Sequence, residues 1–201
     1  MQGYLTHIKL LAQRLLIVFA FMTLTRVLFY IMNEQHFAMT FGELLLHLIY
    51  GLQFDVVSIA MANLLFIPMS VIPGRILCNR TYQIILKSVF CVANTFIIAC
   101  NFVDCKFFEW EEKRLTADIL TPEWLGSDFW TLLPNIMADY WLLFIGFIAS
   151  ISILIWLYPN YKSQQPCPQT PKKDFAKQSA IAIFTIGLMI LCCRGSLQVK
   201  P

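Results

Sequence analysis

The stretch GLQFDVVSIAMANLLFIPMSVIP, residues 51–73, decides the fold class of this chain. After Asp55 it continues to Pro73 without another charged residue. An α-helix needs about 20 predominantly apolar residues to cross the hydrocarbon layer of a bilayer. The stretch therefore predicts a transmembrane helix, which we place at Phe54 to Pro73.

The composition of the whole chain leads to the same class. Of the 201 residues, 58% are hydrophobic and 13% are charged, whereas soluble domains are typically about 45–50% apolar and about 25% charged. The net charge of +3 is small and is spread among apolar runs. A nucleic-acid surface needs basic residues gathered on one face. The composition thus predicts a membrane protein and argues against a nucleic-acid partner.

Similar apolar runs lie on both sides of the first one. They predict an all-α, polytopic membrane domain over residues 1–193 with five spans, at about 10–32, 54–73, 82–104, 136–158 and 178–193. Length and flanking charges define these spans, because a helix that is apolar all round carries no amphipathic signal. The first run starts like a signal peptide but continues past Arg26 without a convincing cleavage site, so we interpret it as a retained anchor.

The 15 basic residues predict the orientation of the spans. Most of them fall on one side of the predicted membrane: Lys9, Arg14, Arg75, Arg80, Lys87, Lys162, Lys172, Lys173 and Lys177. Basic residues close to a span resist translocation, so this side is cytoplasmic. We expect a bacterial cytoplasmic membrane protein with a cytoplasmic amino terminus and an extracytoplasmic carboxyl terminus.

Two segments between the spans are too polar to cross a membrane alone, residues 40–53 and 105–135. In the second, Thr121 followed by Pro122 and Glu123 is typical of a helix start. Tryptophan and phenylalanine side chains are frequent there, and such rings favour the headgroup layer. We predict interfacial helices on the outer face in both segments.

Polar residues near the outer ends of the spans form a candidate lipid-headgroup site: Arg26, Asp55, Asn101, Asp104 and Asp139. Charged groups within hydrocarbon are costly unless they are paired or hydrated. One interpretation is a pocket in which Arg26 binds a lipid phosphate, because the planar guanidinium suits phosphate oxygens. The other is an ion pair between Arg26 and a carboxylate that fixes helix packing.

Asn63 and Asn94 lie near the middles of the second and third spans, which are antiparallel and closely connected. We expect a hydrogen bond between their side chains, worth about 0.5–2 kcal/mol. On the fourth span, Gly146 and Ser150 are one turn apart, and small residues at this spacing favour close helix approach.

Motifs of enzyme chemistry are absent from the sequence. It contains no H-E-x-x-H, C-x-x-C or G-x-S-x-G, and its three histidines are scattered. The 7 cysteines are an odd number, and most lie in apolar runs where a thiol packs as a small hydrophobic group. We therefore assign no catalytic residue and no metal site to this chain.

Three stretches of the chain resemble a known family. GLQFDVVSIAMANLLFIPMSVIP (51–73), NFVDCKFFEWEEKRLTADIL (101–120) and RGSLQVKP (194–201) are similar to the amino-terminal membrane region of lipoteichoic acid synthase-like phosphoglycerol transferases, in the alkaline phosphatase and sulfatase superfamily. The resemblance covers the whole chain. Within it, Asp55, Asp104, Lys113 and Arg114 match the recurrent polar positions of the family.

The resemblance implies a function that this chain does not carry alone. Family members have five amino-terminal spans followed by an extracytoplasmic catalytic domain, which uses a threonine nucleophile and a divalent metal (Mn, Mg or Zn). That domain moves a phosphoglycerol group from a lipid, such as phosphatidylglycerol. Residues 194–201 would then begin the linker to it, and the chain would anchor the enzyme and present its lipid.

Two other functions stay open on the sequence. A small transporter or lipid-translocating protein would use Arg26 and the outer carboxylates, and a stand-alone membrane adaptor would need neither. A reading frame that continues beyond Pro201 into a polar domain separates the transferase from both.

Overall fold

The computed structural model describes residues 2–37, 40–113, 134, 137–161 and 172–194. Its α-helices are α1 (Gln2–Met32), α2 (Phe41–Ala62), α3 (Phe66–Val71), α4 (Arg80–Glu111), α5 (Trp141–Leu157) and α6 (Lys172–Cys193). Short 3-10 turns occupy Glu34–His36 and Ile76–Cys78. No β-strand occurs in the described residues, and the prediction of an all-helical chain is confirmed.

The helices α1, α2, α4 and α6 are long and apolar enough to cross a membrane. The fourth predicted span, 136–158, corresponds to α5, which is apolar but has only 17 residues. This length is at the lower end of the range for a transmembrane helix. The structure thus shows four long candidate spans and one short one.

The predicted interfacial segments are not separate from the spans where the structure describes them. Residues 41–53 belong to the same helix as the start of the second span, and residues 105–111 continue α4. Neither helix contains a proline, so nothing in its sequence ends the backbone hydrogen bonding where the apolar run ends. The expected helix start at Thr121 lies outside the described residues.

The second predicted span is not one continuous helix, which corrects its interpretation as an uninterrupted run. The helix α2 ends at Ala62, and α3 begins at Phe66 after a turn. Pro68 explains the break, because it has no N–H for the carbonyl of Leu64 and its ring crowds that carbonyl. The side chain of Asn63 donates a hydrogen bond of 3.0 Å to the Ile59 carbonyl at the end of α2.

The first helix lies against four others, since α1 packs on α2, α3, α4 and α5. The buried core contains Phe66 of α3 and Phe90 of α4, whose ring centroids are 5.0 Å apart. The ring of Tyr158 extends this contact, 5.1 Å from Phe90. Close approach of α5 to α4 is confirmed at Gly146, where an added Cβ would lie 3.2 Å from the Phe102 ring.

Most large apolar side chains on the outside of the bundle are exposed. Trp156 of α5 is 83% exposed and Phe184 of α6 is 72% exposed. Leu16 of α1 and Phe96 of α4 are exposed in the same way. A soluble protein rarely exposes so much contiguous apolar surface. This surface suits hydrocarbon and agrees with a membrane protein.

The two ends of the bundle are named here by their arginines. The Arg26 end contains the end of α1, the start of α2 and the end of α4. The Arg14 end contains the start of α1, α3 and the end of α5. At the Arg14 end, the Tyr4 hydroxyl donates a hydrogen bond of 2.7 Å to the Val71 carbonyl.

Most of the described cysteines are free thiols: Cys91, Cys100, Cys105, Cys192 and Cys193. All of these lie in helices, where the sequence predicts that they pack as small apolar groups. Cys78, in the second 3-10 turn, is instead disulfide-bonded.

Candidate functional site

The centre of the candidate site is an ion pair between neighbouring helices. Arg26 lies two turns before the end of α1, and Asp55 lies on the antiparallel helix α2. The Arg26 Nη2 donates to the Asp55 Oδ1. Asp55 is only 3% exposed, so the pair is largely removed from solvent. The Arg26–carboxylate pair that one of the two interpretations expects is therefore present.

A glycine makes room for this pair. Gly51 precedes Asp55 by one turn of α2 and lies beneath the guanidinium of Arg26. A Cβ at position 51 would be 2.8 Å from the Arg26 Nε, which is closer than such atoms approach. A methyl group at position 51 would therefore displace the end of the Arg26 side chain from its place beside Asp55.

The ion pair leaves hydrogen-bonding capacity unused. The Arg26 Nε and the Asp55 Oδ2 are buried and make no hydrogen bond within the described residues. Leaving such groups unpaired is costly, more so when they are charged. One donor of Arg26 and one acceptor of Asp55 are thus left without a protein partner within the described residues.

A small cavity adjoins the guanidinium. Its volume is about 130 Å³ and its lining residues are Arg26, Phe29, Tyr30, Phe37, Leu44, His47 and Leu48. The walls are mostly aromatic and aliphatic, and the polar groups come from Arg26, Tyr30 and His47. A volume of this size suits part of a lipid headgroup rather than a whole lipid.

Aromatic rings close this end of the bundle. Phe37, just after the first 3-10 turn, stacks on Phe108 of α4 with ring centroids 5.4 Å apart. Phe29 of α1 meets the edge of the Phe108 ring at 5.1 Å. Asn33, which is fully buried, donates a hydrogen bond of 3.0 Å to the Cys105 carbonyl. These contacts hold α1 and α4 together beside the cavity.

The other predicted site residues are more dispersed. The Asn101 amide contacts the Met22 sulfur at 3.1 Å, one turn before Arg26. Asp104 is buried on α4, whereas Lys113 and Asp139 are exposed. Arg114 lies outside the described residues.

Sequence reasoning missed two residues of this site, Gly51 and His47. Both precede Asp55 on α2, by one and two turns, and so share its face of the helix. This spacing is visible in the sequence and is the signal that would have identified them.

A larger cavity lies between α1, α2, α3 and α6. Its volume is about 380 Å³, and its lining is apolar apart from one threonine: Leu11, Leu15, Leu16, Phe19, Val56, Ile59, Ala60, Ile67, Thr185, Leu188, Met189 and Cys192. A transport path for ions or polar solutes needs polar groups or water near the middle of the membrane. This cavity provides only the hydroxyl of Thr185, so it gives no support to the transporter alternative.

The described residues contain no group of three histidine, cysteine or acidic side chains placed to hold a metal ion. The resemblance would place its divalent metal in a catalytic domain and not on the residues of this sequence. No protein-family model, curated protein or solved structure matches the chain.

Proposed function

We propose that this chain is the membrane domain of a phosphoglycerol transferase, or of a transferase of a related phospho-group. It anchors the enzyme at the outer face of a bacterial cytoplasmic membrane, crosses that membrane five times and holds the headgroup of the donor lipid at Arg26. The observation that carries the lipid part is the buried ion pair, in which Arg26 and Asp55 each have one unused polar atom and Arg26 lines an adjoining cavity. The transferase part is supported by the sequence resemblance.

The chemistry of phosphatidylglycerol suits this arrangement. Its phosphodiester oxygens accept hydrogen bonds from a guanidinium, and the contact is strengthened by opposite charge. Its glycerol hydroxyls donate, which an unpaired carboxylate oxygen of Asp55 requires. Choline headgroups lack such a donor. The site should therefore prefer a headgroup that carries both a phosphate and a hydroxyl.

Arg26→Lys tests the lipid site, because lysine keeps the charge and loses the planar fork. Purified protein would be titrated with phosphatidylglycerol and with phosphatidylcholine, and bound lipid would be counted by native mass spectrometry. We expect roughly tenfold weaker retention of phosphatidylglycerol in this variant, the loss of one charge-assisted hydrogen bond. Arg80→Lys is the matched control, because Arg80 is exposed at the other end of the bundle. Equal lipid retention in both variants would remove Arg26 from the site.

Two features bear on the orientation and point in opposite directions. The basic residues favour a cytoplasmic Arg14 end. Cys78 belongs to that end and is disulfide-bonded, and disulfides are uncommon in the cytoplasm. Reporter domains fused after Pro201 and inserted near Cys78 would show on which side of the membrane each end of the bundle lies. The proposal requires the first reporter outside and the second inside.

The transferase part of the proposal is tested first by the reading frame of the gene. A reading frame that continues past Pro201 into a polar domain with clustered aspartate and histidine supports the proposal. Release of glycerol phosphate from labelled phosphatidylglycerol by the extended protein would establish the activity. A stop codon directly after Pro201 would leave a lipid-binding membrane adaptor.

A further inference from the structure

A second cationic cluster lies at the Arg14 end, which the proposed function does not use. Arg14 of α1 is only 3% exposed, and its Nε and Nη2 donate to the Pro159 carbonyl at 3.3 and 3.0 Å. Its guanidinium carbon lies 4.3 Å from the centre of the Tyr158 ring. Lys87 of α4 reaches the same ring, with its Nζ at 5.3 Å from the centre. Two helices thus direct positive charges at one aromatic side chain.

No carboxylate of the described residues neutralises the charges of this cluster. Within the described residues, neither Arg14 nor Lys87 forms an ion pair with a carboxylate. A carbonyl and an aromatic face attract cations, but neither carries a full negative charge. Two cations on one ring also repel each other. The cluster therefore has an excess of positive charge, which a bound anion would balance.

The position along the helices indicates what kind of anion. Arg14 and Arg26 are both on α1, and their separation in sequence corresponds to roughly 18 Å along the helix axis. A hydrocarbon layer is about 30 Å thick, so both arginines fit about one turn inside opposite surfaces. Lys87 starts from a similar depth, one to two turns after the beginning of α4. Long basic side chains at this depth reach for the phosphate layer.

We propose that Lys87 binds the phosphate of an anionic phospholipid in the leaflet at the Arg14 end, and that the buried charge of Arg14 strengthens this binding. Lys87 is half-buried, so its ammonium group contacts the phosphate from the lipid side. Arg14 lies behind it against Tyr158 and adds the second positive charge. The site shares no residue with the Arg26 cavity, and the proposal stands independently of the transferase and of the orientation of the chain.

Lys87→Met is the deciding variant, because it removes the charge and keeps an apolar stem of similar length. Lys177→Met is its matched control, since Lys177 is an exposed lysine of α6 that makes the same change in net charge. Lys87→Arg restores the charge. Each purified full-length variant would be titrated with phosphatidylglycerol, with phosphatidylcholine and with inorganic phosphate alone, and bound ligand would be counted by native mass spectrometry.

We expect Lys87→Met to lose one retained phosphatidylglycerol, with roughly tenfold weaker binding, while Lys177→Met and Lys87→Arg bind as the unchanged protein does. Phosphatidylcholine should be retained equally weakly by all of them. Saturable binding of inorganic phosphate that is lost with Lys87 would assign the same anion site to a soluble phosphate. Equal loss in Lys87→Met and Lys177→Met would overturn the proposal, because general electrostatic attraction would then explain the lipid. The Arg26→Lys variant should lose a different lipid, so the two sites fail separately.

Discussion

The side-chain amides of Asn63, at the end of α2, and Asn94, in α4, exchange two hydrogen bonds, each 3.0 Å long. Both residues are 0% exposed. Each amide nitrogen uses its second hydrogen on the carbonyl one turn earlier, at Ile59 and at Phe90. Every amide N–H of the pair is thus satisfied in the middle of the bundle. A fully satisfied polar pair of this kind specifies how two apolar helices align.

Replacement of Asn94 by leucine should destabilise the bundle by about 1–2 kcal/mol, because the Asn63 amide is then buried without its partner. The double variant Asn63→Leu with Asn94→Leu should lose less than the sum of the two single variants. Unfolding in micelles, followed by circular dichroism, measures each free energy. Strict additivity would show that the two amides do not interact.

Asn101→Leu is the control for this series. Asn101 is on the same helix as Asn94 but is only partly buried, and its amide contacts the sulfur of Met22, a weak acceptor. We expect a change below about 0.5 kcal/mol, as for substitutions that leave no buried polar group unpaired.

The Asn63–Asn94 pair was predictable because depth in a membrane can be read from sequence. Two antiparallel spans with a short connection place their middle residues at the same level, and two buried amides at one level have few other partners. The same reasoning put Arg26 and Asp55 at one level. It did not choose between a lipid and an ion pair, because depth does not say which faces of the helices meet.

The sequence does not indicate how each helix is rotated about its own axis. A helix that is apolar all round gives no periodic signal, so the approach of Gly51 to Arg26 could not be read from the pattern. The break after Ala62 was missed for a related reason, since Pro68 lies within an otherwise uniform run. The lengths of α2 and α4 were underestimated because a helix need not end where its apolar run ends.

Gly51→Ala should destabilise the protein by about 1–3 kcal/mol, the usual cost of overpacking. The added methyl group would displace the Arg26 guanidinium and disturb its pair with Asp55. Gly42→Ala is the matched control on the same helix, because no atom lies within 4 Å of an added Cβ there. Alanine is the better helix former, so this control should gain up to about 1 kcal/mol. Thermal unfolding of both variants in the same detergent measures the difference, and equal shifts would mean that Arg26 does not lie on Gly51.

Asp55→Leu should cost about 3–5 kcal/mol, because it leaves the Arg26 charge unpaired among apolar side chains. Adding Arg26→Leu to it should recover most of that loss, since neither charge is then buried. Denaturant unfolding measures stability, and phosphatidylglycerol retention is measured in parallel. We expect the double variant to fold and to lose the lipid. A double variant that folds and retains the lipid would assign the ion pair to packing alone.

Two substitutions of Tyr158 distinguish the contribution of its ring from that of its hydroxyl. Its hydroxyl is buried and makes no hydrogen bond within the described residues, whereas its ring meets Phe90, Arg14 and Lys87. Tyr158→Phe should therefore change the free energy of unfolding by less than about 0.5 kcal/mol, or increase it, because an unsatisfied buried hydroxyl is removed. Tyr158→Leu should cost about 2–4 kcal/mol through lost packing and lost attraction for the two cations. If phenylalanine were as damaging as leucine, the hydroxyl and not the ring would hold this end of the bundle together.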